Sequence, residues 1–221
     1  MTPGKEPPSI YVIAGTNGAG KSSVAGAAIR DRGSDYFNPD EATRRILEAN
    51  PGIDPGLANS QAWIQGKQLL EQAISSRTTF TFETTLGGNT IPALLERASA
   101  AGLALRMWYV GLEGPDLHIA RVRSRVAAGG HDIPEAKIHE RYQRSRANLI
   151  RLLPALTDLR VFDNSAPGDP KAGIPPKPRL ILSVRDGVIE ETCGLTMVPE
   201  WAKPVFMAAL HQYQHGIGPT T

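Results

Sequence analysis

A short apolar run, Ile10-Tyr11-Val12-Ile13-Ala14, leads without a break into Gly15-Thr16-Asn17-Gly18-Ala19-Gly20-Lys21-Ser22. The octapeptide matches G-x-x-x-x-G-K-[ST] at every fixed position. The run before it reads as a buried parallel strand, and the residues from about 21 to 30 read as a helix. Glycines allow the backbone to curl so that successive N–H groups face inward toward phosphate oxygens. The helix that follows adds its positive N-terminal end. Lys21 then reaches the β- and γ-phosphates, and the Ser22 hydroxyl binds Mg²⁺. The alternative is a glycine turn arising by chance, on the order of 1% for a chain of this length at average glycine usage. The spacing therefore predicts a nucleotide-binding loop over residues 15–23, ending at Ser23, for ATP (or GTP) with Mg²⁺.

A parallel strand requires a helical crossover, and the remaining pattern supplies several. Phe37-Asn38-Pro39-Asp40 opens a helix, and a longer one is predicted from Asn59 to Ser76. Strands are predicted at 78–84, 103–112 and 160–163, and helices at 90–101, 116–128 and 134–153. Gly129-Gly130 suits the C-cap of the second of these three helices, and Pro134 the first position of the third. The prediction is an α/β fold, a doubly wound, mostly parallel sheet of P-loop NTPase/kinase type over residues 9–166. Residues 1–8 read as a disordered lead-in. Residues 167–178 contain five prolines and read as a linker. Beyond it, 179–184 and 188–191 flank Asp186-Gly187, a hairpin signal, and a last helix covers about 200–215. This C-terminal hairpin and helix, 179–221, forms either an added subdomain or part of the main sheet.

Composition narrows the function classes. Of the 221 residues, 41% are hydrophobic and 21% charged, which suits a globular chain. The net charge of +2 gives no global field for a nucleic-acid binder. The single cysteine, Cys193, excludes an intramolecular disulfide framework and a cysteine-built zinc site. No apolar run approaches the roughly 20 residues that span a bilayer, and the N-terminal residues lack a secretory segment. These features predict a soluble cytoplasmic protein with no membrane partner.

Two acids and a basic cluster are the candidates for chemistry. Asp40 follows an Asn-Pro turn and could accept a proton from an acceptor hydroxyl; a plain helix-start acid is an equal reading. Glu83 ends the strand TFTFE, where the carboxyl ends of strands line a ligand crevice; its alternative is a surface ion pair. Residues 121–151 carry a local charge of +5 against −3 for the rest of the chain. His118, Arg121 and Arg125 fall on one helical stripe, and Ile119, Val122 and Val126 on the buried one. Arginines over the phosphate loop would act as an internal finger or lid; a solvated basic face and a nucleic-acid surface are the alternatives, the latter disfavoured by few aromatics.

The series AGTNGAGKSS, FNPD, FTFETT, WYVGL, RVRSRVAAGGHDIP, RSRANL and VFDNS resembles the zeta-toxin-like P-loop kinases, in particular the branch labelled predicted ABC-type ATPases. The resemblance covers roughly residues 9–165, and FETT with GGHxIP in this order is far more specific than the phosphate loop alone. It implies a kinase core with ATP or GTP as donor. Characterised members phosphorylate a hydroxyl of UDP-N-acetylglucosamine, and a related effector phosphorylates NAD. The acceptor implied is thus a UDP-sugar or dinucleotide, and an antitoxin protein is an implied partner. By position, Lys21 and Ser22 match the loop lysine and metal-binding hydroxyl, Asp40 the general base, and Glu83, with Thr84 beside it, the acceptor-binding acid. Arg121 matches the first catalytic arginine, with Arg125 competing. The second falls near His131, where the string Gly129-Gly130-His131-Asp132 has no arginine; His131 or Arg141 would take that role. The leading reading is a small-molecule kinase; its rival is a regulatory ATP-binding switch acting through a protein or nucleic-acid partner.

Overall fold

Strand β1 (Ser9–Ala14) lies inside a seven-stranded sheet of order β2-β3-β1-β4-β5-β6-β7, between β3 and β4. In this computed structural model, residues 7–21, 36–127, 129, 132–167 and 177–214 are described. Residues 1–6 of the expected lead-in, the helix after the phosphate loop with Ser22 and Ser23, the residues Ala128, Gly130 and His131, 168–176 of the proline-rich segment, and 215–221 with the expected end of the last helix fall outside them. The strands are β2 (Tyr36–Phe37), β3 (Phe80–Thr84), β4 (Ala104–Gly111), β5 (Asp158–Asp163), β6 (Arg179–Arg185) and β7 (Val188–Thr192). The first five run parallel, and β6 and β7 are antiparallel additions at one edge.

The described helices are α1 (Pro39–Ala49), α2 (Pro55–Ser76), α3 (Thr90–Ala100), α4 (Gly114–Ala127), α5 (Glu135–Leu152) and α6 (Lys203–Gln214). Alternate strand residues, among them Ile10 and Val12 of β1 and Leu105 and Met107 of β4, face one core with Leu70 of α2, Leu95 of α3 and Leu149 of α5. On the other side of β1, Ile13 meets Tyr36 and Trp108. The chain leaves β1 for β2 and β3 on one flank and returns to β4 on the other. That reversal of order opens a crevice at the carboxyl end of β1. Gly15 turns the chain into it: a Cβ there would stand 2.2 Å from the Val110 carbonyl oxygen, and φ is +143°.

Several boundaries differ from the sequence reading by one to four residues, among them three helix starts. Helix α2 begins at Pro55, four residues before Asn59, because the Asp54 carboxylate accepts from the Leu57 N–H at 2.9 Å and proline suits the first helical position. Pro134 precedes α5 as its cap, its carbonyl accepting from the Ile138 N–H, so Glu135 is the first helical residue. A short 3₁₀ turn, Glu200–Ala202, comes before α6.

The C-terminal hairpin extends the main sheet: β6 pairs with β5, and Asp186 and Gly187 (φ 48° and 76°) make the two-residue turn with positive φ at both positions. Trp201 then lies over Gly111 at the end of β4, where a Cβ would stand 2.3 Å from its ring, and donates its indole N–H to Asp163 at 3.0 Å. Tyr213 of α6 donates its hydroxyl to the Leu153 carbonyl at 2.9 Å. No helix among the described residues is long and apolar enough to cross a membrane.

Candidate active site

The phosphate loop bends back on itself through an Ala19 N–H to Thr16 carbonyl bond of 3.1 Å and is tied to β3 by a Gly15 N–H to Thr84 carbonyl bond. Thr84 thus touches the loop through its backbone. Lys21, at the loop's end, pairs with Glu83 of β3 at 3.3 Å, and both side chains are nearly buried. Glu83 also accepts from the Tyr36 hydroxyl and, at 3.2 Å, from the Asn38 side-chain amide. Burial, and then the charge of Glu83, push the Tyr36 phenol well above its ordinary range. Tyr36 therefore stays protonated and acts as a donor.

Asn38 has two functions in one side chain. Its Oδ1 accepts from the N–H groups of Asp40 (2.8 Å) and Glu41 (3.3 Å), capping α1, while its Nδ2 holds Glu83. The helix that carries Asp40 and the strand that carries Glu83 are therefore locked together. Asp40 itself is more than half exposed and pairs with Arg125 of α4 at 3.3 Å.

The arginines divide between two places. Arg121 donates to the carbonyls of Asn164 (2.8 Å) and Ala166 (3.4 Å), beyond β5, and burial lowers its pKa. Arg141 of α5 donates to Asn17 Oδ1 in the phosphate loop at 2.8 Å, and burial, opposed by Glu140 and Asp40, lowers its pKa as well. His118 does not join the basic stripe. It is buried, with Nδ1 2.7 Å from the Asn17 carbonyl oxygen, because α5 covers that side of α4. Ile119 and Val122 do pack inward, with Ile133 and Ile138. Asn164 donates to the Ala19 carbonyl at 2.9 Å and so braces the loop from the far side.

Between the loop, β3, α2 and α5 lies a cavity of about 620 Å³. Asn17, Asp40, Glu83 and Arg141 line it together with Phe37, Trp63, Ile64 and Lys137. The volume falls in the range of small-molecule sites. Tyr36 and Asn38 were the residues sequence reasoning missed as partners of Glu83. FNPD marked the position of Asn38 but not the contact, which joins residues 45 apart.

The model of the family described as zeta toxin matches residues 1–166. The chain belongs to the zeta toxin family. A protein of Haemophilus influenzae described as uncharacterized is 31% identical over 134 residues, which cover 58% of this chain and 88% of that one. Among solved structures, the AvrRxo1-ORF1:-ORF2 crystal structure with ATP is similar at a TM-score of 0.64 and 15% identity, over 97% of this chain and 66% of that one. The PezAT toxin-antitoxin system of Streptococcus pneumoniae is similar at a TM-score of 0.56 and 12% identity, over 97% of this chain and 90% of that one. This zeta toxin family protein is a P-loop phosphotransferase that binds a nucleotide, with a kinase-type function.

Proposed function

We propose that this protein transfers the γ-phosphoryl group of ATP or GTP to a hydroxyl of a nucleotide sugar or dinucleotide held in the 620 Å³ cavity. The observation that carries the reading is the shared wall: Asn17 of the phosphate loop lines the same cavity as Asp40 and Glu83. An acceptor there lies beside the donor phosphates, as in-line transfer requires. Asp40 takes the hydroxyl proton, and Glu83 orients the acceptor. Arg141 and Arg125 face the charge that develops on the transferred group. Trp63 offers a flat apolar surface, and Lys137 with Arg141 offers cations, which suits a ring joined to phosphates.

The site also suits magnesium. Among the described residues no three metal-ligating side chains cluster. Mg²⁺ in such sites is held mainly by phosphate oxygens and water, with one or two protein ligands. The Ser22 hydroxyl is the ligand this reading assigns. PezAT is described as a toxin-antitoxin system, and an antitoxin protein is the partner class the reading expects.

The test is to incubate the purified protein with Mg·ATP and pooled nucleotide sugars, dinucleotides and nucleosides. The expected result is a new species about 80 Da heavier than one pool member, the mass of the transferred group. Slow ADP release with no phosphorylated product would favour the regulatory switch instead.

Asn38 gives a separable prediction. Asn38→Ser keeps a capping oxygen but loses the amide that holds Glu83; Asn38→Ala loses both. Denaturant unfolding should place the alanine variant about 1 kcal/mol below the serine variant. Both should lose turnover to a similar extent. Wild-type turnover in the serine variant would show that the Asn38 contact with Glu83 is idle.

A further inference from the structure

We propose that His118 is a positioning residue for the phosphate loop: its Nδ1–H holds the Asn17 carbonyl and thereby turns the Gly18 N–H toward the bound phosphates. The inference rests on nucleotide binding, which belongs to the family, and not on the identity of the acceptor.

A carbonyl oxygen can only accept, so at 2.7 Å from Asn17 the Nδ1 atom must carry the proton. In a trans peptide the C=O and the following N–H point in opposite directions. Fixing the Asn17 carbonyl toward α4 therefore aims the Gly18 N–H away from α4, into the concavity of the loop. No described residue accepts a hydrogen bond from that N–H. It is thus left for an anion. The loop also touches the backbone of α4: with φ at +80°, a Cβ on Gly18 would stand 2.8 Å from the His118 carbonyl oxygen.

The imidazole is itself held. It meets Tyr142 edge-on, with ring centroids 5.6 Å apart, and the Tyr142 hydroxyl accepts from the Gly114 N–H at 3.2 Å. Burial, with the charges of Lys21, Arg121 and Arg146, pushes the His118 pKa down to about 4 against the opposing pull of the Asn17 hydrogen bond, so the ring is neutral at physiological pH. A neutral ring adds no charge where phosphates bind. It contributes a directed donor.

Asparagine and glutamine separate this from plain packing. The amide nitrogen of asparagine reaches the place of Nδ1, and that of glutamine the place of Nε2. Titration calorimetry with Mg·AMP-PNP should find His118→Asn within about threefold of wild type, with His118→Gln and His118→Leu weakened about tenfold or more, one lost hydrogen bond being of that order. Wild-type affinity in the glutamine or leucine variant overturns the proposal, as does an asparagine variant as weak as leucine. NMR of the wild-type protein tests it even where a variant does not fold. The Nδ1-protonated tautomer and a downfield shift of the Gly18 amide on adding Mg·AMP-PNP are expected. An Nε2-protonated ring or an unmoved Gly18 amide overturns it.

Discussion

Lys21→Ala should abolish the rise in melting temperature that ATP gives the wild-type protein. Ligand at about 100 times its Kd stabilises by about 2.7 kcal/mol, or about 5–10 °C for a domain of this size. On the proposed reading the lysine ammonium contacts the terminal phosphates, so most of that response should vanish and turnover with it. The substitution has a second effect that the sequence does not suggest. Lys21 and Glu83 are paired at 3.3 Å in a nearly buried setting. Removing one partner of such a pair costs roughly 3 kcal/mol even without nucleotide. Tyr36 and Asn38 still donate to the carboxylate and hold the loss near that lower figure. Adding Glu83→Gln to Lys21→Ala should therefore recover much of the nucleotide-free stability and none of the ATP response. A full ATP-induced shift in Lys21→Ala would overturn the phosphate-loop assignment.

The sequence shows best what local chemistry controls. A β-branched apolar run followed by glycines can do little other than leave a buried strand and curl. Asp186-Gly187 between alternating residues allows a tight hairpin, and both adopt the positive φ it requires. Asp54-Pro55 carries the same kind of local signal for the start of α2, four residues before the expected Asn59. Failures of another kind come from contacts between distant segments. A helical wheel of α4 places His118 beside Arg121 and Arg125. Only the presence of α5 and the phosphate loop decides that the imidazole turns inward. Glu83 is legible as a strand-end acid, but its Tyr36 and Asn38 partners depend on β2 pairing with β3. Likewise, Trp201 has no pattern that ties it to Gly111, although that contact seats the C-terminal segment on the sheet.

The arginines show how these levels combine. Their local excess is plain in the sequence, and their division is not. Arg121 reaches toward the residues after β5, Arg125 toward Asp40 and Arg141 toward the loop. The three side chains thus engage three different partners, and of the three Arg141 lines the cavity. An arginine already engaged with a carbonyl or an amide keeps its charge and its remaining N–H groups for a phosphate.

Asp40→Asn should leave ATP binding intact and lower phosphoryl transfer by about 10²–10⁴, the usual contribution of a general base. The substitution keeps the size of the side chain and a carbonyl oxygen, and removes the negative charge that accepts the proton. A purely structural role predicts much less. The cap of α1 is Asn38, so Asp40 contributes to folding only as an acid in the first turn, about 0.3–1 kcal/mol. Its exposed pair with Arg125 adds about 0–1 kcal/mol. That pair raises a third reading, in which Asp40 serves only to hold Arg125 in place. A double-mutant cycle separates the three. If Asp40 is the base, Asp40→Asn should cost nearly as much in an Arg125→Ala background as in wild type. If it only holds Arg125, the second substitution should add almost nothing to the first. A small drop in melting temperature with unchanged turnover would leave Asp40 as a first-turn acid, and Glu83 would become the carboxylate to test as the base.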